Sequence, residues 1–107
     1  MTKNTEIDKL LNNNNVGPIM RAGDVADAVV EAAIIDNPGK NIVVDNKNAY
    51  IRISANNELR LTRETIELEL GRPFKMNEIE IELASFAGRI KMTTDEVIFY
   101  YITNMQS

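Results

Sequence analysis

The segment DVADAVVEAAII, from Asp24 to Ile35, most narrows what this chain can become. Only Asp24, Asp27 and Glu31 are polar in it, and their i, i+3, i+7 spacing puts them on one narrow stripe of an α-helix. A helix that is apolar over the rest of its surface has to be covered on most sides. A chain of 107 residues has one domain's worth of material to do so. The alanines at 26, 28, 32 and 33 let a neighbouring layer approach closely, so the helix should lie across a sheet and fill the core. Asp24 after Gly23 reads as its N-cap, with Asp27 three positions on. Asp36-Asn37-Pro38-Gly39 ends it, because Pro38 disfavours helical backbone at Asn37 and Gly39 supplies a permissive turn position. This turn is a plain helix-to-strand connection or, alternatively, a contact loop.

The sheet has to come from the alternating segments. Val16 to Met20 reads as a first strand, with Pro18 suited to an edge or a strand start because it has no N–H to donate. Asn41 to Asp45, Ala49 to Ser54 and Glu58 to Thr62 follow, separated by Asn-rich turns. In them Ile51, Ile53, Leu59 and Leu61 point inward, and Tyr50 and Arg52 outward. Residues 65–70 alternate like a strand but read as part of a helix from Arg63 to Leu70. Thr62 is a good N-cap, Leu61 and Ile66 occupy the hydrophobic-staple positions, and Gly71 stands where a C-terminal cap belongs.

In the next stretch, Gly71 to Met92, the residues Ile79, Ile81 and Leu83 share one face of a strand, opposite Glu80 and Glu82. Phe86, Gly88, Ile90 and Met92 then continue in the opposite phase, which requires one extra residue, a β-bulge near Ala84-Ser85. The bulge either lets a sheet turn a corner or shapes a surface that meets a partner. Val97 to Ile102 is apolar on both faces and reads as a central strand, covered on each side or with one face left for another protein. The order is β-α-β-β twice. The expected class is α+β: two β-α-β-β units, with antiparallel-rich sheets and two main helices packed on them. Residues 1–15, ending in a run of asparagines, are too polar to offset the cost of ordering and read as a mobile N-terminal arm. Residues 16–107 read as a single domain.

Cys and His are both absent, which removes thiolate and imidazole ligands and the Ser-His and Cys-His nucleophilic systems. Acid–base catalysis by Glu80, Glu82 and Tyr100 is the remaining enzymatic reading, but alternating glutamates on a strand are ordinarily a solvated face. The net charge of -4 argues against a phosphate-binding surface and so against a nucleic-acid partner. No apolar run approaches membrane-spanning length, and no signal sequence opens the chain. The expectation is a cytoplasmic binding protein, not an enzyme, with no cofactor or metal of its own and no membrane partner.

The ordered set GRPF (Gly71 to Phe74) and EIEIELASFAGR (Glu78 to Arg89) resembles the small effector proteins of bacterial multicomponent diiron monooxygenases. So do DNPG (Asp36 to Gly39) with Val43-Val44, NNNVGPI (Asn13 to Ile19) and RAGD (Arg21 to Asp24). The resemblance runs from about Asn13 to Tyr101 and is closest to the toluene monooxygenase branch, with the methane and phenol branches more distant. It implies a cofactor-free subunit, monomeric when free, that binds a large hydroxylase over the helices supplying its diiron ligands. Binding would reshape the active site, promote oxygen activation and couple electron use to aromatic hydroxylation. A Rieske-type ferredoxin would share the docking surface and compete for it.

The resemblance also implies where contact falls. Glu82, Ala84, Ser85 and Phe86 occupy the matching interface positions, Gly88 and Arg89 match the family's Gly-Arg, and Asn37 and Pro38 lie in the matching DNPG turn. The methane branch has small hydroxyl residues where this chain has Ala84 and Phe86, which speaks against hydrogen bonding at these two positions and leaves Phe86 either an apolar contact or a core residue, while Ser85 keeps a hydroxyl. Gly88 would serve the backbone bend, and Arg89 would pair with a carboxylate or helix end of the partner. The alternative is a stand-alone α+β small-molecule sensing domain, which would need a pocket of convergent polar groups and would dimerise through a sheet edge.

Overall fold

The helix from Asp24 to Asp36 (α1) forms as its composition requires, burying Val25, Ala26, Ala28, Val29, Ala32 and Ala33. The computed structural model describes residues 14–102, and of the expected arm residues 1–13 lie outside them. The other elements are β1 Asn15–Arg21, β2 Val43–Asn46, β3 Tyr50–Asn56, β4 Glu58–Thr62, α2 Arg63–Leu70, α3 Asn77–Glu82, β5 Leu83–Ala87, β6 Arg89–Met92 and β7 Glu96–Tyr100. Two antiparallel sheets result, in the orders β2-β3-β1-β5 and β4-β7-β6. The α+β class with two main helices is borne out. The core gathers Met20, Ile51 and Ile53 from the first sheet, Leu59, Leu61, Val97 and Phe99 from the second, and Ile66 and Ile79 from α2 and α3, around the buried face of α1.

The start of α1 differs from expectation. Gly23 is the cap residue, without a side-chain bond, and Asp24 is already helical. Gly23 sits at φ 155°, a setting that side chains rarely adopt, so the chain enters the helix one residue early. Asp24 and Asp27 then lie in the first turn, where negative charge meets the positive end of the helix dipole. By contrast α2 forms as read. The Thr62 side chain accepts the Thr65 N–H, and Gly71, left-handed at φ 73°, donates its N–H to the Glu67 carbonyl at 2.8 Å. The Asp36 carboxylate ties the two helices together, accepting the Thr62 N–H at 2.8 Å and the Thr65 hydroxyl at 2.7 Å.

Pro18 is not at an edge, since β1 lies between β3 and β5. The β1–β3 ladder has partners at Val16–Ala55 and Ile19–Arg52 and lapses between them, so the missing donor falls in a gap. Gly17 makes the gap tolerable. A Cβ there would stand 2.0 Å from the Ile53 carbonyl oxygen, so only glycine lets the strands come this close.

The stretch from Gly71 to Met92 is not one bulged strand. Residues 77–82 are the short helix α3, with Ile79 buried and Ile81 66% exposed, so the two do not share a face. Six alternating residues fit either period, and the surroundings decide. Phe74 and Met76 are buried just upstream, the Glu67 carboxylate holds the Phe74 N–H at 2.9 Å, and the Glu78 carboxylate holds the Lys75 N–H at 3.0 Å. The expected bulge is nonetheless present in β5: Ser85 pairs with Ile19 and Leu83 with Met20, leaving Ala84 without an opposite residue. Gly88, at φ 91°, then carries the chain from the first sheet into the second. In that second sheet β7 is central, as expected. Its Val97 and Phe99 are fully buried, while Ile98 and Tyr100 on the other face are only half-buried.

Candidate docking surface

One face of the four-stranded sheet packs against α1 and the rest of the core, and the other is open except at one end, where Gly17 and Ser54 are buried. On the open face the strand registers set Asp45, Arg52, Ile19 and Ser85 in a row across all four strands. Tyr50 lies opposite Arg21 on one side of that row, and Gly17 opposite Ala87 on the other. The bulge adds Ala84, which lines a shallow hollow of about 320 Å³ with Ile19, Lys47, Tyr50 and Arg52. Leu83 and Phe86 turn the other way. Leu83 packs on the core, and the Phe86 ring meets Phe99 at 5.9 Å while remaining 40% exposed.

The candidate residues divide into two groups. Ala84, Ser85 and Phe86 are exposed together on β5, the edge strand of its sheet among the described residues. Half-buried Glu82 ends α3 just before them, and exposed Arg89 opens β6 just after, opposite Tyr100. Between them Gly88 is fixed by sterics, for a Cβ there would stand 2.6 Å from Val16 Cγ1 and 2.7 Å from the Tyr100 carbonyl oxygen. Asn37 and Pro38 are placed elsewhere, against β4. Asn37 is only 7% exposed; its amide donates to the carbonyls of Ala33 at 2.8 Å and Arg60 at 2.7 Å, and its oxygen accepts the Arg60 N–H at 3.0 Å. It thus stands in for a strand beside β4 and has no free polar group to offer a partner. Pro38 is exposed.

Sequence reasoning did not connect Ile19, Tyr50 and Arg52 with this edge. The outward direction of Tyr50 and Arg52 was legible in the alternation, but the adjacency of β1 to β5 has no local signal.

A larger cleft of about 970 Å³ is lined by Arg63, Glu67, Phe74, Met76, Glu78 and Thr93, among others. Its charged groups mostly serve the fold. Arg63 pairs with Glu67 at 3.2 Å and Asp95 at 3.0 Å, leaving only its buried Nε without a partner. The Phe74 N–H, and then Arg63, hold the Glu67 carboxyl below the usual glutamate range. Asp95 and Glu67 hold the Arg63 guanidinium above its ordinary value. Among the described residues no group of carboxylates is arranged to hold a metal ion, and no helix is long and apolar enough to cross a membrane.

Residues 14–100 match the MmoB/DmpM family. The chain belongs to that family. It is 46% identical over 98 residues to the effector subunit of the alkene monooxygenase system of Xanthobacter autotrophicus (strain ATCC BAA-1158 / Py2), covering 92% of this chain and 96% of that protein. It is 37% identical over 75 residues to the stimulatory component DmpM of phenol 2-monooxygenase from Pseudomonas sp. (strain CF600), covering 70% and 81%. Its backbone matches a chain in the structure of a phenol hydroxylase–regulatory protein complex with a TM-score of 0.71 at 31% identity, over 82% of this chain and 99% of that one. The regulatory protein B of soluble methane monooxygenase shares the fold, with a TM-score of 0.62 at 19% identity over 83% and 66%. The resemblance noted in the sequence is therefore borne out at the level of the family. Like these relatives, the MmoB/DmpM member described here is an effector or regulatory component of a multicomponent monooxygenase, not a catalytic subunit.

Proposed function

We propose that this chain docks on the diiron hydroxylase of a monooxygenase acting on small unsaturated hydrocarbons, aromatic rings of the toluene kind included, and tunes that enzyme without reacting itself. The observation that carries the reading is the 46% identity to an alkene monooxygenase effector over nearly the whole chain. The phenol relative supports the aromatic side of the substrate range. The iron centre belongs to the hydroxylase, and the part of this chain is to bind. The edge from Glu82 to Arg89 is the proposed contact, with Ala84, Ser85 and Phe86 at its middle and exposed Pro38 as an outlying point.

An effector can shift a partner only by binding its states with different affinity. Tenfold in rate requires only about 1.4 kcal/mol of differential stabilisation of a barrier. A short exposed strand with one half-exposed aromatic ring is enough for that. Binding then reshapes the hydroxylase active site, promotes oxygen activation and couples electron delivery to hydroxylation. The free chain is a cytoplasmic monomer, and a Rieske-type ferredoxin alternates with it on the hydroxylase. The sensing-domain alternative finds little support in the large cleft, where Arg63, Glu67 and Glu78 are already held by internal bonds.

The test is to titrate this protein into purified hydroxylase, ferredoxin and reductase with toluene or a short alkene, following product and oxygen consumption. Product should rise to a maximum near stoichiometry, with more product per electron, and fall at excess as the ferredoxin is displaced. A flat response with the cognate hydroxylase would overturn the reading.

A further inference from the structure

We infer that the open face of the four-stranded sheet is the second half of the hydroxylase-docking surface: an apolar hollow, anchored by Tyr50 and rimmed by cations, that takes a carboxylate-bearing ridge of the hydroxylase. The inference rests on the effector reading and adds to it the chemistry of the partner's surface.

Continuity is the first ground. Ala84 and Ser85 belong both to the edge strand and to the open face, because the bulge leaves Ala84 unpaired and brings it to the hollow formed by Ile19, Tyr50 and Arg52. A partner seated on β5 therefore already borders the hollow. Residue chemistry is the second. The solvated face of an antiparallel sheet is ordinarily polar, yet this one presents a tyrosine 44% exposed beside Ile19 and Ala84. Tyrosine is a frequent anchor of protein interfaces, offering a large contact area for little lost side-chain freedom.

Charge is the third ground. Arg21 and Arg52 make no ion pair among the described residues, and Lys47 is held only by an exposed contact with Asp45 at 3.4 Å. The net charge of the chain is -4, and the exposed carboxylates of Asp24, Asp27 and Glu31 lie along α1, in a groove shared with Val44, Asn46 and Ile51 on the sheet's other face. The molecule is thus polarised, with free cations on the open face and carboxylates on the helix that packs on the opposite one. Such a distribution turns the open face toward an acidic partner and holds the helix side away from it.

The test measures binding of this protein to the hydroxylase component alone, by calorimetry across a range of salt concentrations. Arg52→Glu should weaken binding by roughly tenfold or more and flatten its salt dependence. Tyr50→Ala should weaken it by roughly tenfold and leave the salt dependence as it was. Glu31→Lys, on the helix side, should change affinity by less than about twofold. Each substitution is exposed, so thermal midpoints should stay within a few degrees of the parent, roughly the range of surface changes. Wild-type-like binding by folded Arg52→Glu and Tyr50→Ala, with binding lost in Ser85→Arg, would overturn the inference and leave the effector reading standing. Failure of the unsubstituted protein to bind its cognate hydroxylase would remove both.

Discussion

The two faces of the four-stranded sheet are made by the same strands, one residue out of step. Met20, Ile51 and Ile53 point to the sealed face and are buried against α1 and the rest of the core, while Ile19, Tyr50 and Arg52 point to the open face. The alternation of a strand thus separates what the fold requires from what a partner would read. Substitutions on the sealed side should act on stability, and those on the open side on affinity. β5 is where the separation is least complete. Its bulge sends Ala84 and Ser85 outward together, and Phe86 packs on Phe99 while staying 40% exposed.

The strongest way to break this comparison is Val29→Asp. Val29 is fully buried in α1 within the hydrophobic core, where an introduced carboxylate would lose its water. The loss should be about 4 kcal/mol or more, enough to abolish a cooperative thermal transition in a domain of this size. A variant that melts like the parent would mean that α1 does not fill the core. Gly88→Ala comes next, at the crossing between sheets. Its φ of 91° and the contacts at 2.6 and 2.7 Å leave no room for a methyl group, so it should lose roughly 2–3 kcal/mol. Thermal denaturation should show this as a drop of ten degrees or more, roughly, at the usual 4–8 °C per kcal/mol. An unchanged midpoint would show that the crossing tolerates a shift.

How far the sequence could be read follows from where its signals lie. The bounds of α2 were legible to the residue because Thr62, the Leu61/Ile66 pair and Gly71 are all local to it. The helix from Asp24 was legible from composition, although its cap was misassigned because Gly23 carries no side chain to signal its role. Residues 77–82 were misread because alternation over so short a run is blind to burial elsewhere. What makes a helix there is the anchoring of Phe74 and Met76, together with bonds from Glu67 and Glu78. The edge from Glu82 to Arg89 was reached through resemblance to a family, and the structure does bring its residues together. The open face beside it was not legible, since it depends on β5 pairing with β1 across more than sixty residues of intervening chain.

Asn37 sharpens the comparison from another side, because it was a docking candidate and the fold employs it internally. Replacing it by alanine would strip the Arg60 N–H and two carbonyls of partners in a buried setting. The expected loss is about 2 kcal/mol, read as a lower urea midpoint with unchanged slope. Affinity for the hydroxylase, measured on folded protein, should stay at the parent value. A parent-like urea midpoint joined to weakened binding would return Asn37 to the interface.

The smallest effect on stability should come from Ser85→Arg, and it is the most telling. Ser85 is exposed on β5, in the row with Ile19 and Arg52. Its side chain makes no hydrogen bond that the fold depends on, so the stability change should stay within about 0.5 kcal/mol. The long side chain nevertheless stands where a partner strand or helix would have to approach β5, and its bulk blocks that approach. Hydroxylase activation should therefore fall sharply at an unchanged thermal midpoint. If midpoint and activation fell together, β5 would owe its exposure to the fold alone. If neither fell, the docking edge would have to be sought on another strand. Only loss of activation without loss of stability fits a sheet whose two faces do separate work.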